Sequence, residues 1–168
     1  MPVLPDILKP DLDVVFCGTA AGDRSAAVGA YYAGPGNRFW RTLHEIGLTE
    51  RQLQPAEYRR LLEYGIGLTD IAKEAVGTDD NVPRSAFDVA GLQARILKYR
   101  PRILAFNGLN AARGFLGRHV AAGLQPEHIG STAIFVLPST SGAARRYWKV
   151  AAWHDLAASV RAESTRRV

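Results

Sequence analysis

Asp13-Val14-Val15-Phe16-Cys17, followed at once by Gly18-Thr19-Ala20-Ala21-Gly22, is the stretch whose reading decides the fold. A run that is apolar without alternation reads as a strand covered on both faces, the signature of a parallel sheet between helices. The glycines directly after it mark a loop whose backbone approaches something closely. Working outward, Ile103-Leu104-Ala105-Phe106 and Ala133-Ile134-Phe135-Val136-Leu137 repeat the pattern. Helical patterns fill the intervals. Asn37 to Ile46 sets Phe39, Leu43 and Ile46 on one stripe and closes at Gly47. Pro55 to Tyr64 begins with the proline favoured in a first helical turn. Val89 to Tyr99 precedes Pro101, Asn110 to Leu116 follows the second run, and the last helix spans about Ala144 to Ala162. This alternation predicts a three-layer α/β/α domain over residues 1–168 with a central, mostly parallel sheet of about four strands.

Composition narrows the class. The chain has 168 residues, 47% hydrophobic and 22% charged, as expected for one globular domain with a sizeable core. No apolar run approaches the ~20 residues of a membrane span. The segment Met1 to Leu12 lacks the hydrophobic stretch of a signal peptide. A single cysteine, Cys17, excludes an internal disulfide, and no Cys/His spacing suits zinc. The expectation is a cytoplasmic, metal-free protein. Of the net charge of +5, +4 falls between Ala143 and Val168, where Arg145, Arg146, Lys149, Arg161, Arg166 and Arg167 face only Asp155 and Glu163. Such a patch suits a phosphate backbone, although a solvated terminal helix has the same composition.

In a doubly wound sheet the site lies beyond the carboxyl ends of the strands. That directs attention to four segments: Gly18 to Gly36, Gly67 to Asp70, Asn107 to Asn110 and Pro138 to Arg146. The first lacks both the G-x-G-x-x-G dinucleotide fingerprint and the Gly-Lys-Ser/Thr of a phosphate-binding loop. It carries Tyr31-Tyr32, either a stacking surface for a planar ligand or packing beneath the loop. The last, Pro138-Ser139-Thr140-Ser141-Gly142-Ala143-Ala144-Arg145-Arg146, reads as hydroxyl-bearing residues opening a helix. Free N–H groups there suit an anion, and the hydroxyls suit helix caps.

Taken in order, the strand with Gly18-x3-Gly22, the segment Pro35-Gly36-Asn37-Arg38-Phe39-Trp40 and the terminal Leu137-Pro138-Ser139-Thr140-Ser141-Gly142 resemble the uracil-DNA glycosylase superfamily. The similarity runs from Ile7 to the C-terminal helix and is greatest to the mismatch-specific uracil/thymine-DNA glycosylase branch. The Ser139-Thr140-Ser141 run also resembles the hypoxanthine-DNA glycosylase branch. The resemblance implies an enzyme that swings a damaged or mismatched base out of double-stranded DNA, with single-stranded DNA as the alternative, and hydrolyses its N-glycosidic bond through an oxocarbenium-like sugar. It implies a monomer without a cofactor. It places Thr19, Ala20, Gly22, Tyr32 and Ser139 around the base, with Tyr32 stacking on it. It places Ser141, Gly142, Ala143, Arg145 and Arg146 on the loop that enters the DNA.

Three positions depart from that pattern. Ala20 stands where the mismatch-specific branch has the Asn that holds water, and alanine can neither orient water nor carry charge. Ala143 stands at the wedge position, so Arg145, Arg146 or Tyr147 must fill the gap. Gly65-Ile66-Gly67-Leu68-Thr69-Asp70 ends in a carboxylate at the active end of the sheet. Asp70 is therefore the candidate catalytic group, with Asp23 second. The structural alternative makes Asp70 a cap on Ile71-Ala72-Lys73 or an ion-pair partner of Lys73. The functional reading is a monofunctional glycosylase excising uracil, including uracil opposite guanine. Hypoxanthine or xanthine as substrate, or a catalytically decayed DNA-binding protein, are the alternatives.

Overall fold

The computed structural model describes residues 1–166. Arg167, part of the basic surplus, lies outside them, as does the side chain of Tyr147. The sheet has five strands: β1 (Val14–Gly18), β2 (Ile66–Asp70), β3 (Ile103–Asn107), β4 (Gly123–Ile129) and β5 (Thr132–Leu137), in the order β2-β1-β3-β5-β4. Pairings β1–β2, β1–β3 and β3–β5 are parallel, and β4 joins β5 antiparallel at the edge. The mostly parallel sheet is as expected, with one strand more than about four. The segment Gly67 to Asp70, read as a loop, is strand, and only Asp70 reaches its end.

Alternation along the strands divides the core in two. Val14 and Phe16 face a layer built from α2 (Phe39–Glu45), α5 (Ala151–Arg166) and the N-terminal segment. Val15 and Cys17 face α3 (Val89–Tyr99) and α4 (Leu109–Leu116) through Leu92, Ile96, Ala111 and Ala112. Helices on both faces give the three layers. Phe16 anchors the first core, stacked on Trp153 at 5.6 Å and edge-on to Phe39 at 5.3 Å. A fully buried side chain of this size contributes roughly 1.5–3 kcal/mol.

Local chemistry sets the helix limits. The Asp88 side chain caps α3 by accepting from Gly91 N–H at 2.9 Å, and Gly117 ends α4 in the left-handed region. Asn37 stays outside α2, its Oδ1 accepting from Phe39 N–H at 3.0 Å. Pro55–Tyr64 is a 3-10 helix. The expected helix from Ala144 to Ala162 is two elements: a six-residue 3-10 turn, Gly142–Tyr147, and then α5. The break is at Trp148, whose extended backbone (φ −67°, ψ 127°) ends the turn and whose ring lies under the Arg38 guanidinium at 5.5 Å. Trp148 thus precedes the final helix, while Trp153 fills its buried face.

Among the described residues no helix is long and apolar enough to cross a membrane. The N-terminal segment is tied to the sheet through Ile7, bridged antiparallel to Leu68. Gly67 permits this approach, since a Cβ there would stand 2.6 Å from the Ile7 carbonyl oxygen.

Candidate active site

Parallel register brings the carboxyl ends of the inner strands to one rim. Gly18 pairs with Asp70, and Asn107 pairs with Leu137. Asp70 is 4% exposed. A Cβ built on Gly18 would lie 2.9 Å from Asp70 Oδ1 and 3.2 Å from Tyr32 Oη. Glycine at this position therefore lets a carboxyl and a phenolic hydroxyl converge on the same small space. Burial pushes the Asp70 pKa up to about 7; Lys73 and Arg95 pull it down, Asp6 pushes it up, and the Gly18 amide favours the ionised form.

Neither structural alternative for Asp70 is realised. The turn after β2 is held by backbone bonds from Ile71 N–H to Gly18 O (3.0 Å) and Ala72 N–H to Thr19 O (2.8 Å). Lys73 is paired with Asp6 at 2.8 Å and donates to Tyr31 Oη at 3.0 Å. Asp6 also accepts from Thr69 Oγ1 at 2.7 Å and lies 3.5 Å from Arg95 Nε. Arg95 in turn donates to the Asp70 carbonyl at 3.1 Å. A charged cluster from three distant parts of the chain thus sits behind the buried carboxyl. Sequence reading missed it, because residues 6, 73 and 95 share no motif.

The two tyrosines divide the roles proposed for them. Tyr31 is packing: 1% exposed, its hydroxyl donates to Pro5 O at 2.8 Å and its carbonyl accepts from Trp40 Nε1 at 3.1 Å. Tyr32 adopts φ +52°, a left-handed conformation costly for a bulky residue. One side of its ring lies on Phe39, with centroids 4.1 Å apart and planes 30° apart. Its Oη is buried without a hydrogen-bond partner. Burial raises the hydroxyl pKa well above its ordinary value and the Asp70 charge raises it further. The Asn107 amide is near enough to offset this in part, although it forms no bond of proper geometry with the hydroxyl. Cys17 is buried, and burial drives its thiol pKa up, which leaves it an inert core residue.

Within the first loop Thr19 is buried, Ala20 half-buried, and Ala21 bridges to Val76. Gly22 precedes the short helix α1 (Asp23–Val28), with open space where a Cβ would stand. Asp23 is exposed in the first turn of α1. Asp79, which the sequence reading passed over, comes to the loop instead. The residue as a whole is exposed, yet its carboxyl is crowded enough for burial to raise its pKa, with the Thr19 hydroxyl holding it down. Its only sequence signal is the acidic pair in Gly77-Thr78-Asp79-Asp80.

The last loop is fixed from β3. Asn107 donates to Thr140 Oγ1 at 2.9 Å and accepts from Thr140 N–H at 3.0 Å, so its amide serves the loop. Ser139 Oγ accepts from Ser141 N–H at 3.1 Å, and Ser141 Oγ from Ala143 N–H at 3.3 Å. These hydroxyls act as caps. The expected long helix with an anion-binding start is absent here; the six-residue turn Gly142–Tyr147 takes its place. First and last loops meet directly: Arg38 N–H donates to Thr140 O at 2.9 Å, and a Cβ on Gly142 would lie 3.2 Å from Gly36 O. Ala143, Arg145 and Arg146 are exposed on the outer side of this junction. Among the described residues no group of three or more His, Cys, Asp or Glu side chains is arranged to hold a metal.

Fold and rim together define an α/β/α protein with a buried acid at the carboxyl end of a parallel sheet, flanked by two touching loops. Residues 5–157 match the model of the uracil DNA glycosylase superfamily, and the chain belongs to that family. The fold is shared with a protein from Methanosarcina acetivorans, determined in solution by NMR and provisionally described as a uracil DNA glycosylase. The two are 24% identical, the match covers 95% of this chain and 96% of that one, and the TM-score is 0.61.

Proposed function

We propose that this chain is a monofunctional DNA glycosylase that extrudes uracil from double-stranded DNA, including uracil paired with guanine, and hydrolyses its N-glycosidic bond with Asp70 as the catalytic carboxylate. Family membership supports a DNA glycosylase role. The observation that carries the assignment to Asp70 is the convergence of its Oδ1 and Tyr32 Oη over Gly18, at the end of the sheet where Ala20 has no polar group to offer. The ionised carboxylate faces the sugar as positive charge develops at C1′, and a preorganised charge in a water-poor site stabilises that state far more than the neutral ground state. The Tyr32 ring, backed by Phe39, offers its other side to the extruded base; stacking of this kind contributes ~1–3 kcal/mol. Thr19, Ala20, Gly22 and Ser139 line the base, and Ser141 to Arg146 meet the DNA. A mispaired uracil costs less to unstack than a Watson–Crick base, which favours lesions over normal sites.

The test is a panel of end-labelled oligonucleotides carrying uracil, thymine, hypoxanthine or xanthine, paired and single-stranded, treated with protein and then with alkali. Cleavage at uracil that disappears in Asp70→Asn supports the proposal. Cleavage confined to hypoxanthine or xanthine would transfer the same chemistry to the purine substrates favoured by the Ser139-Thr140-Ser141 resemblance. Release by Asp70→Asn at the wild-type rate would refute the catalytic assignment, and binding without release from any oligonucleotide would leave a DNA-binding protein.

A further inference from the structure

We propose that the Tyr32 hydroxyl, beyond the stacking role of its ring, is a second catalytic group that holds the attacking water jointly with Asp70. The inference rests on Asp70 as the catalytic carboxylate and extends it. Three observations lead to it. Tyr32 Oη is buried, and its polar neighbour, the Asn107 amide, is committed to Thr140 and makes no bond of proper geometry with it, so the hydroxyl is left for another use. Oη and Asp70 Oδ1 lie 3.2 Å and 2.9 Å from one point above the Cα of Gly18. An atom somewhat farther out from that Cα is within hydrogen-bonding reach of both oxygens, and glycine is the residue that keeps the space open. Finally, the ring is carried there by a left-handed Tyr32 backbone and pinned by Phe39, so the hydroxyl position is fixed and not sampled.

The chemistry is that of a shared water. The neutral phenol oxygen accepts one O–H of the water and the carboxylate accepts the other, which leaves a lone pair of the water oxygen free to attack. Burial and the Asp70 charge both keep the phenol protonated at neutral pH, which suits it to that part. As the water oxygen bonds to C1′, the C1′–N bond breaks and its electron pair leaves with the base. The water proton passes to Asp70, and the base anion takes a proton from solvent. Fixing the water's second partner restricts it to the line of attack, and positioning of this kind is a large component of catalysis.

Tyr32→Phe removes the hydroxyl and keeps the stacking surface. Single-turnover release of uracil is expected to slow 10–100-fold, while affinity for a duplex containing a non-cleavable 2′-fluoro uracil nucleotide stays within twofold of wild type. Because one water serves both groups, the Tyr32→Phe/Asp70→Asn double variant is expected to be no slower than Asp70→Asn alone. Gly18→Ala fills the shared space with Tyr32 intact, but its methyl also stands 2.9 Å from Asp70 Oδ1 and displaces that carboxyl; it too should slow release at least tenfold. A wild-type rate in Tyr32→Phe, or losses that multiply in the double variant, would overturn the role of the hydroxyl with Asp70 still standing. A wild-type rate in Asp70→Asn would instead overturn the underlying reading.

Discussion

Burying Asp70 carries a stability cost, and that cost can be measured apart from activity. The carboxyl titrates at about 7 in the folded chain against 3.8 for the ordinary side chain. At about 1.36 kcal/mol per pKa unit, the difference corresponds to roughly 4 kcal/mol. The raised folded value means that the folded protein binds the proton more tightly than the unfolded chain. The favourable contribution of the protonated group is therefore complete below pH 3.8 and lost as pH rises to about 7. Asn at position 70 cannot ionise and escapes this loss. Asp70→Asn is thus expected to match the wild type in stability near pH 4 and to exceed it by up to about 4 kcal/mol at pH 8. Urea unfolding at several pH values, followed by circular dichroism, measures the difference directly. In the same variant, base release should fall about 10²–10⁴-fold, the range for removing a catalytic acid–base or charge-stabilising group. A variant less stable than the wild type at pH 8, with a gap that does not grow with pH, would refute the reasoning, because the carboxylate would then be a satisfied structural group.

The charged cluster behind Asp70 gives a second test. Cys17, Tyr31, Tyr32, Asp6, Lys73 and Arg95 all interact electrostatically with this carboxyl. Of these, Asp6 holds its pKa up, so Asp6→Asn should move the acidic limb of the pH–rate profile to lower pH than in the wild type; a midpoint that stays or rises would contradict it. Arg145→Ala should weaken DNA binding at all sequences and reduce the slope of log affinity against log salt by about 0.9 if it contacts one phosphate; fluorescence anisotropy across a salt series checks this. Asn107→Ala severs both bonds to Thr140 and should cost about 2–3 kcal/mol in thermal or urea unfolding, with release of uracil slowed as the last loop loosens. Gly142→Ala sets a methyl 3.2 Å from Gly36 O, backbone that cannot swing away, and should raise KM for duplex DNA more than it lowers kcat.

The parallel core was legible because three of its strands are unbroken apolar runs. β4 was not, since Gly123-Leu124-Gln125-Pro126-Glu127-His128-Ile129 is an edge strand with proline and charge facing water, and Leu124 remains 66% exposed. β2 hid behind Gly67, which disfavours a strand in isolation and is explained by the close passage of Ile7. At the site, Tyr32 became a candidate through the family resemblance, and Asp70 through its position at a strand end. Sequence position alone could not separate Tyr31 from Tyr32, because which of two neighbours turns inward depends on the backbone at Tyr32. The last helix was misjudged for a related reason: composition through Arg145 to Lys149 is helical, and only the seat of Trp148 under Arg38 interrupts it.

The first dozen residues resemble a disposable tail, with three prolines and scant regular structure. They nonetheless supply the counterion of Lys73, the acceptor for the Tyr31 hydroxyl and a strap across β2. Shortening the protein from this side would strip buried Leu4, Ile7 and Leu12 from the two cores and remove a negative charge from behind Asp70. A preparation trimmed for convenience would therefore lose core packing and, with Asp6 gone, ionise Asp70 at a lower pH.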